Sequence, residues 1–591
     1  MKYLRWTGNV ALLLGWLVSV GEAAPTWSPA LSGNALQGNT TVTLDGNYTQ
    51  SSALTGNYSL TVTGGYTLEF TEAQKFTGGT VIGAGTTVKL NRPNTSGMAE
   101  GILPNSIQIN GGTLEIAAGG QMGYEKTATI TTVGGVIKNT STTHAILKDV
   151  YLSNGSTIEV TAYERTGWGG DFALDGNLYA TAGESTLKSG KYVLSARYSG
   201  SANTVTMDVS SGATLSVKGE MYDLEQDAGA TLAGSRTLRK TGEGTLKLLQ
   251  NQYYTGGTIV EKGTLELAAG SSAAVVDGSY KPGLVLGTIT VEKDGILKMS
   301  STAVMGYGNL SPVLNIRGGT VDNTSGGHNL LYKVTLSDGG VIQSDATGTT
   351  GWGGNYALDG DITVTSGDNL IQGERLVMAS RFTSTQYTNL FDVRGVDTVL
   401  TLDGNLLQPT AVIDTTSARN LKKTGSGTLV LKGEENTYSG VTEVVEGTLR
   451  IDSQGTETNR VSLLSDVKIT GGELRLVVDG GVSDNLAIAG RLDLAEVDSL
   501  VIDLGENLPV VGEIYPILTA TEGIWLGGTE ILSTADFAQF LSSEARHYMN
   551  VLSIDGGFGL ATDSAAVPEP STWILGILGL GFLWLQRRSG R

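Results

Sequence analysis

The chain has 591 residues and a formal net charge of -19, from 39 Lys and Arg against 58 Asp and Glu. It contains no Cys, which excludes a disulfide framework, a cysteine-ligated metal cluster and thiol catalysis. The acidic balance argues against nucleic-acid binding, because phosphate recognition needs a basic surface. A hydrophobic content of 40% indicates a folded chain rather than a disordered one.

The N-terminal segment, positions 1–23, is predicted to be a secretory signal peptide. Lys2 and Arg5 supply the positive start, and an apolar run follows at positions 10–18. This run is shorter than the roughly 20 residues that span a bilayer, and small residues follow it at the positions that signal peptidase reads. We therefore predict export, with cleavage by signal peptidase after Ala23.

Short strands separated by Gly-Gly pairs make up most of the chain. In residues 107–116 and 467–476, apolar residues alternate with polar ones, stop at Gly-Gly, and alternate again. This period of two predicts a strand, a tight bend and a second strand. One short helix is predicted at residues 533–541, with Ser533 as its N-cap and Asp536 in position for a capping box.

A longer period shows that part of the chain is duplicated. Residues 240–246 (KTGEGTL) recur as 423–429 (KTGSGTL), 183 positions later, and residues 166–170 (TGWGG) recur as 350–354, 184 positions later. Tandem copies without a separating linker favour an open-ended solenoid, in which each rung contacts only its neighbours, with about 22 residues per rung.

The duplication suggests a division of the chain. We predict a signal peptide (1–23), an N-terminal cap with the first rungs (24–63), repeat unit 1 (64–246), repeat unit 2 (247–429), a partial third unit (430–483), a C-terminal cap (484–561) and a C-terminal signal (562–591).

Part of each copy resembles a known family. Residues 424–449, with TGSGTL, NTYSG and EGTL in order, are similar to the autotransporter-associated β-strand repeat, and residues 241–267 give a second match. Residues 63–90 give a weaker third one. The resemblance implies an all-β fold, a right-handed parallel β-helix as in autotransporter passengers.

The C-terminus resembles a sorting signal. It reads Pro568-Glu569-Pro570, then an apolar run at 573–585, then Arg587 and Arg588. This order resembles the PEP-CTERM signal of exopolysaccharide-producing Gram-negative bacteria, while the alternative is an ordinary tail anchor. The resemblance implies a short transmembrane helix, processing by an exosortase, an inner-membrane intermediate, and delivery to the cell surface, outer membrane or extracellular matrix.

One pair of motifs carries residues suited to carbohydrate. An aromatic ring, a carboxylate and a guanidinium together can stack on a sugar and bind its hydroxyls. Each copy has such a set at matching spacing, and these are our candidate glycan contacts: Trp168, Asp175 and Arg197 in the first copy, and Trp352, Asp359 and Arg381 in the second. The alternative is structural, with the tryptophan packed over a rung and the aspartates in turns.

These features predict an exported structural protein of the cell surface or matrix, adhesin-like and associated with surface polysaccharide. No catalytic residue, metal site or cofactor is predicted. The alternative is a glycan-binding protein or a carbohydrate-active β-helix enzyme, either a polysaccharide lyase or a hydrolase. The predicted partners are signal peptidase, exosortase, surface polysaccharide, and the membrane through the C-terminal helix before processing.

Overall fold

The computed structural model describes residues 24–93, 99–124, 127–161, 171–195, 203–224, 234–269, 275–276, 279–280, 282–344, 355–379, 387–409, 418–453 and 460–562. The chain forms two compact units, Met1–Ser141 and Thr142–Arg591, called unit 1 and unit 2 below. The boundaries between the predicted repeat copies stay predictions.

Unit 1 is built from short strands that pair in parallel. Leu60 of one rung lies beside Thr40 and Thr80 of its two neighbours, so successive rungs pass the same point at positions 40, 60 and 80. The first strand, β1, instead pairs antiparallel with β2 and covers the edge of the first rung. The strands of unit 1 are β1 Thr26–Ser28, β2 Thr40–Thr43, β3 Tyr48–Gln50, β4 Thr55–Gly56, β5 Leu60–Thr63, β6 Thr67–Phe70, β7 Lys75–Phe76, β8 Thr80–Ile82, β9 Thr87–Leu90, β10 Ser106–Asn110, β11 Thr113–Ile116, β12 Thr129–Val133 and β13 Val136–Asn139.

Unit 2 continues the same short-strand pattern over a longer stretch. Its strands are β14 Ala145–Leu147, β15 Val150–Ser153, β16 Thr157–Val160, β17 Phe172–Leu174, β18 Leu178–Ala182, β19 Glu184–Leu187, β20 Lys191–Leu194, β21 Thr204–Val209, β22 Thr214–Val217, β23 Glu220–Tyr222, β24 Thr237–Thr241, β25 Thr245–Leu248, β26 Thr258–Leu267, β27 Val275–Val276, β28 Ser279–Tyr280, β29 Thr288–Met299, β30 Val313–Arg317, β31 Thr320–Asn323, β32 Asn329–Leu331, β33 Lys333–Ser337, β34 Val341–Gln343, β35 Tyr356–Leu358, β36 Ile362–Val364, β37 Asp368–Met378, β38 Thr388–Val393, β39 Val399–Leu407, β40 Asn420–Thr424, β41 Thr428–Leu431, β42 Thr442–Val444, β43 Thr448–Ile451, β44 Val461–Leu463, β45 Val467–Ile469, β46 Glu473–Asp479, β47 Val482–Ser483, β48 Leu486–Ile488, β49 Leu492–Leu494, β50 Leu500–Leu504, β51 Ile514–Ala520, β52 Ile524–Leu526, β53 Thr529–Glu530, β54 Met549–Ile554 and β55 Gly557–Thr562.

A rung of unit 2 can contain three separate strands. The strands β14, β15 and β16 of one rung pair in parallel with β17, β18 and β19 of the next. Rung length varies, because the register places Lys240 beside Met207 but places Thr258 beside Leu238, which is much closer to it in sequence. The predicted parallel β-helix is confirmed, but the uniform rung of about 22 residues is wrong, since loops of different length join the strands.

Alternation along the strands creates the core. In β21, Val205, Met207 and Val209 are fully buried while the residues between them are half-exposed, and the same order recurs along the stacked rungs. The Gly-Gly bends are also confirmed. Gly111, between β10 and β11, has a φ of 69°, a conformation that costs little only without a Cβ.

The C-terminal part of unit 2 ends the parallel stack with antiparallel strands. The strand β51 pairs with β55, and β55 pairs with β54. Next to them lie the helices α1 (Thr534–Phe537) and α2 (Ala545–Tyr548). The predicted cap of α1 is confirmed, since the Ser533 side chain accepts a hydrogen bond from the Asp536 backbone. Within the described residues, no helix has both the length and the apolar character to cross a membrane.

Candidate functional site

Two of the six predicted glycan contacts lie in the described part of the chain. Asp175 follows β17 and Asp359 follows β35, at the same corner of two different rungs. The remaining predicted residues lie outside the described ranges, and these are Trp168, Arg197, Trp352, Arg381, Ala23, Pro568, Glu569, Pro570, Arg587 and Arg588.

Asp175 is buried, with 1% of its surface exposed, among other polar groups. Its Oδ1 accepts a hydrogen bond from Ser195 Oγ at 3.0 Å. Its charge also acts on the nearby Arg236, a guanidinium whose pKa burial lowers while Asp223 and Asp175 oppose the shift. A buried cation needs such counter-charges, so this arrangement favours a structural role for Asp175.

Asp359 occupies the same corner in the second copy and is fully buried. The backbone hydrogen bonds at the two positions are equivalent. Asp175 N donates to Leu147 O at 2.7 Å, and Asp359 N donates to Leu331 O at 2.9 Å. The position of Ser195, however, holds Ala379 in the second copy. Burial keeps both carboxylates away from a polymer in solvent, and the glycan-contact assignment as a whole stays a prediction.

A neighbouring pair shows how one buried oxygen is preserved through a change of residue. Asp171 Oδ2 accepts a hydrogen bond from Lys191 N at 2.9 Å, and in the second copy Asn355 Oδ1 accepts one from Arg375 N at 3.0 Å. Both side chains are buried. The required group is therefore an oxygen that accepts a backbone hydrogen bond from the next rung, and either residue supplies it.

Each copy of the duplicated unit contains a buried lysine that was not among the predicted functional residues. Lys240 is fully buried, and its Nζ donates to Thr241 O, Gly242 O and Lys262 O at 2.7 to 2.9 Å. Lys423, also fully buried, donates to Thr424 O, Gly425 O and Glu446 O at 2.6 to 3.0 Å. Burial lowers the pKa of each lysine to about 8.

The glycines of the repeat motif fit around this lysine. A Cβ at Gly447 would lie 2.4 Å from Gly425 O and 2.8 Å from Lys423 Nζ, and one at Gly263 would lie 2.4 Å from Gly242 O. Both glycines also have φ near 70°. The motif residues thus close a turn whose carbonyls converge on one ammonium, a structural device that stabilises the corner between two rungs.

A polar groove of about 810 Å³ crosses the last parallel rungs of unit 2. Arg450 and Arg475 lie side by side on adjacent rungs. Five carboxylates also line this C-terminal groove, those of Asp452, Asp479, Asp484, Asp503 and Glu506. The groove was not predicted from the sequence because its residues come from separate rungs, although the spacing of the two arginines is close to one rung.

The charges in the C-terminal groove are partly paired. Arg475 Nε donates to Glu473 Oε1 at 2.7 Å, and Lys432 Nζ lies 3.4 Å from Asp452 Oδ2. Asp484 accepts a hydrogen bond from Val477 N at 2.8 Å, and burial raises its pKa to about 7. Across the described ranges, no group of three or more His, Cys, Asp or Glu is placed to hold a metal ion.

Comparison with known families agrees with this architecture. Residues 238–267 and 421–451 match the passenger-associated-transport-repeat family, and residues 566–591 match the PEP-CTERM protein-sorting motif. These ranges contain the two stronger repeat segments and the C-terminal signal that carry the resemblances seen in the sequence, whereas the weaker segment, residues 63–90, is not among the matched ranges. The chain therefore carries two passenger-associated transport repeats, each with one of the buried lysines near its start, and a sorting motif that implies processing by an exosortase.

The chain is also similar to a curated autotransporter adhesin. The chain is 26% identical over 459 residues to the adhesin BmaC autotransporter of Brucella suis biovar 1 (strain 1330). The match covers 70% of this chain but only 12% of the relative. Together, the repeats, the sorting motif and this similarity support an exported, cell-surface protein.

Proposed function

We propose that the chain is a structural, adhesin-like protein of the cell surface or extracellular matrix, which associates with surface polysaccharide and does not catalyse a reaction. The observation that carries the proposal is the occurrence of two passenger-associated transport repeats within the parallel strands of unit 2, together with a PEP-CTERM motif in the same chain. An adhesin among its relatives supports the same class.

The burial of the two described carboxylates supports the non-enzymatic part of the proposal. A glycosidase needs two carboxyl groups that reach the scissile bond from either side. Asp175 and Asp359 are 1% and 0% exposed, and Asp175 is engaged with Ser195 and Arg236. Their burial fits a structural position at the corner better than contact with a polymer.

Binding to a panel of polysaccharides tests the proposal. We expect saturable binding of at least one surface polysaccharide by the intact chain, and loss of at least tenfold in affinity for a Trp168→Ala/Trp352→Ala variant. Trp525→Ala is the matched control, because Trp525 lies outside the duplicated units and packs against Arg491. Absence of binding to every polysaccharide, or equal loss in the control, would contradict the polysaccharide part.

An activity assay separates the enzyme alternative. Release of reducing ends or unsaturated uronates from the same panel would support a hydrolase or lyase, provided that Asp359→Asn abolishes it in a variant whose unfolding curve is unchanged. We expect no turnover by the natural chain or by the Asp359→Asn variant.

The location of the protein can be tested separately. Cell fractionation and mass spectrometry of the mature C-terminus are expected to show a surface-associated chain cleaved near Pro568-Glu569-Pro570.

A further inference from the structure

An exposed apolar patch lies at the C-terminal end of unit 2. Its five aliphatic side chains are 42 to 54% exposed, and they are Val482, Leu508, Val510, Val511 and Ile514. The loop that carries three of them is held in place, because Val510 N donates to Tyr515 Oη at 2.8 Å and Tyr515 Oη donates to Gly480 O at 2.8 Å. A cluster of ordered, exposed aliphatic residues marks a surface that binds something.

The apolar patch adjoins the C-terminal groove. Val482 belongs to both, since it is exposed and also lines the groove. The Val510 side chain lies beside Gly481, the residue before Val482. Asp479 accepts two hydrogen bonds from Asn507, which fixes the patch loop against the acidic side of the groove. The two features therefore form one surface, apolar at one end and rich in carboxylates at the other.

The described part of the chain ends at this same surface. Thr562, the last residue of β55, accepts through Oγ1 a hydrogen bond from Gly512 N at 2.8 Å, between Val511 and Ile514 of the patch. The ten residues that follow can span up to about 33 Å when extended. They lead to the apolar run at 573–585 and then to Arg587 and Arg588.

We propose that the apolar patch and the C-terminal groove together bind the chain's own C-terminal segment, with the apolar run on the patch and the arginines among the groove carboxylates. The order of the segment, apolar and then basic, matches the order of the surface. Burying the aliphatic side chains of both partners removes apolar area from water, and the carboxylates complement the arginines.

Two other occupants are less compatible with the charges of this surface. Glu506 precedes the patch loop and Glu513 lies within it, so an anionic bilayer surface would be repelled. A second copy of the chain has the same net charge of -19, which opposes association. The tethered segment also has a high effective concentration, because the linker holds it near the patch.

Docking therefore keeps the apolar run of the sorting segment out of water after export, and it competes with entry of that run into the membrane. Cleavage near Pro568-Glu569-Pro570 separates the apolar run from the folded unit, so the patch and groove then become free.

Cysteine cross-linking of the full-length chain tests the docking, since the natural sequence has no Cys. With Val511→Cys and Leu578→Cys together, a short bismaleimide is expected to give an intramolecular cross-link in most molecules. Leu310→Cys with Leu578→Cys is the matched control, because Leu310 is 42% exposed but lies on an earlier part of the stack. We expect at least a fivefold lower yield for the control.

Changes of charge in the tail and in the C-terminal groove test whether the arginines bind the groove carboxylates. Arg587→Glu/Arg588→Glu should lower the Val511–Leu578 cross-link at least threefold, and Asp503→Asn/Glu506→Gln should lower it by a similar factor. Equal yields from the Val511 and Leu310 pairs would overturn the proposal. A product of twice the chain mass would assign the surface to a second copy instead, and cross-linking lost only on adding anionic vesicles would support competition with the membrane.

Discussion

The two copies of the duplicated unit can be compared position by position. Lys240 and Lys423 make the same three kinds of bond to turn carbonyls. On the outer surface the copies differ. Tyr151 and Tyr179 of the first copy stack with ring centroids 4.4 Å apart on paired strands, whereas the second copy has a threonine at each matching position.

The copies agree where a side chain must supply several hydrogen bonds, and they differ where it only has to fit a half-exposed strand. A buried carbonyl without a donor costs about 1–3 kcal/mol, so a residue that bonds several of them has few replacements. A half-exposed position on a strand accepts tyrosine or threonine, because both suit the pleat and solvent fills the remaining space. Agreement between the copies therefore identifies residues that the fold requires, and the following substitutions test that rule.

Replacing Lys423 with methionine should have the largest effect. Lys423→Met removes the donor that three part-buried carbonyls share, and we expect a loss of about 3 kcal/mol in the free energy of unfolding. Lys240→Met should behave in the same way. Urea denaturation is the measurement. The control is Lys422→Met, which removes only an exposed pair with Glu443 and should cost less than about 1 kcal/mol. Equal effects at positions 422 and 423 would contradict the rule.

Replacing Gly447 with alanine should have the next largest effect on the free energy of unfolding. The Cβ of Gly447→Ala would meet carbonyl oxygens at 2.4 Å in a backbone with φ 71°, and we expect a cost of about 2–3 kcal/mol. Gly212→Ala separates the two causes. Gly212 has a similar φ of 73° but no atom within 4 Å of the added Cβ, so only the backbone term, about 1 kcal/mol, remains. A cost for Gly212→Ala as large as that for Gly447→Ala would show that crowding is irrelevant.

The pH dependence of stability gives a third test, which concerns the charge of the two lysines. Burial lowers the pKa of Lys240 and Lys423 from 10.5 to about 8, so between these values the unfolded chain binds more protons than the folded one. Stability should then rise with pH across this window. The neutral amine still donates hydrogen bonds to the turn. Near pH 10 the trend should weaken, because burial raises the pKa of Tyr254 and Tyr438 and opposes their ionisation in the folded state.

Denaturation midpoints at pH 8, 9 and 10 measure this trend. The Lys423→Met variant should show about half of the rise, since only one of the two lysines remains. The charges of Asp208, Asp392 and Glu446 oppose the lowering of the two lysine pKa values, but burial has the larger effect. A midpoint that falls steadily from pH 8 to 10 would mean that the carbonyls hold the two lysines charged.

The sequence was sufficient for features that repeat at short range. Alternation and Gly-Gly pairs predicted β10, β11 and their bend, because each depends on neighbouring residues only. The length of the rungs was not predictable, since it depends on loops that differ from rung to rung. The C-terminal groove was missed for a related reason. Arg450 and Arg475 meet only through the register of two strands, and that register follows from the stacking of the whole unit.

The smallest expected effect concerns Asp171. The second copy already has an amide in this position, where Asn355 Oδ1 accepts the same backbone hydrogen bond. Asp171→Asn keeps the oxygen, so the free energy of unfolding should change by less than about 0.5 kcal/mol, whereas Asp171→Ala removes it and should cost about 1–2 kcal/mol. Polysaccharide binding should be unchanged in Asp171→Asn. Loss of binding with normal stability would instead give the carboxylate of the first copy a role that the second copy has lost.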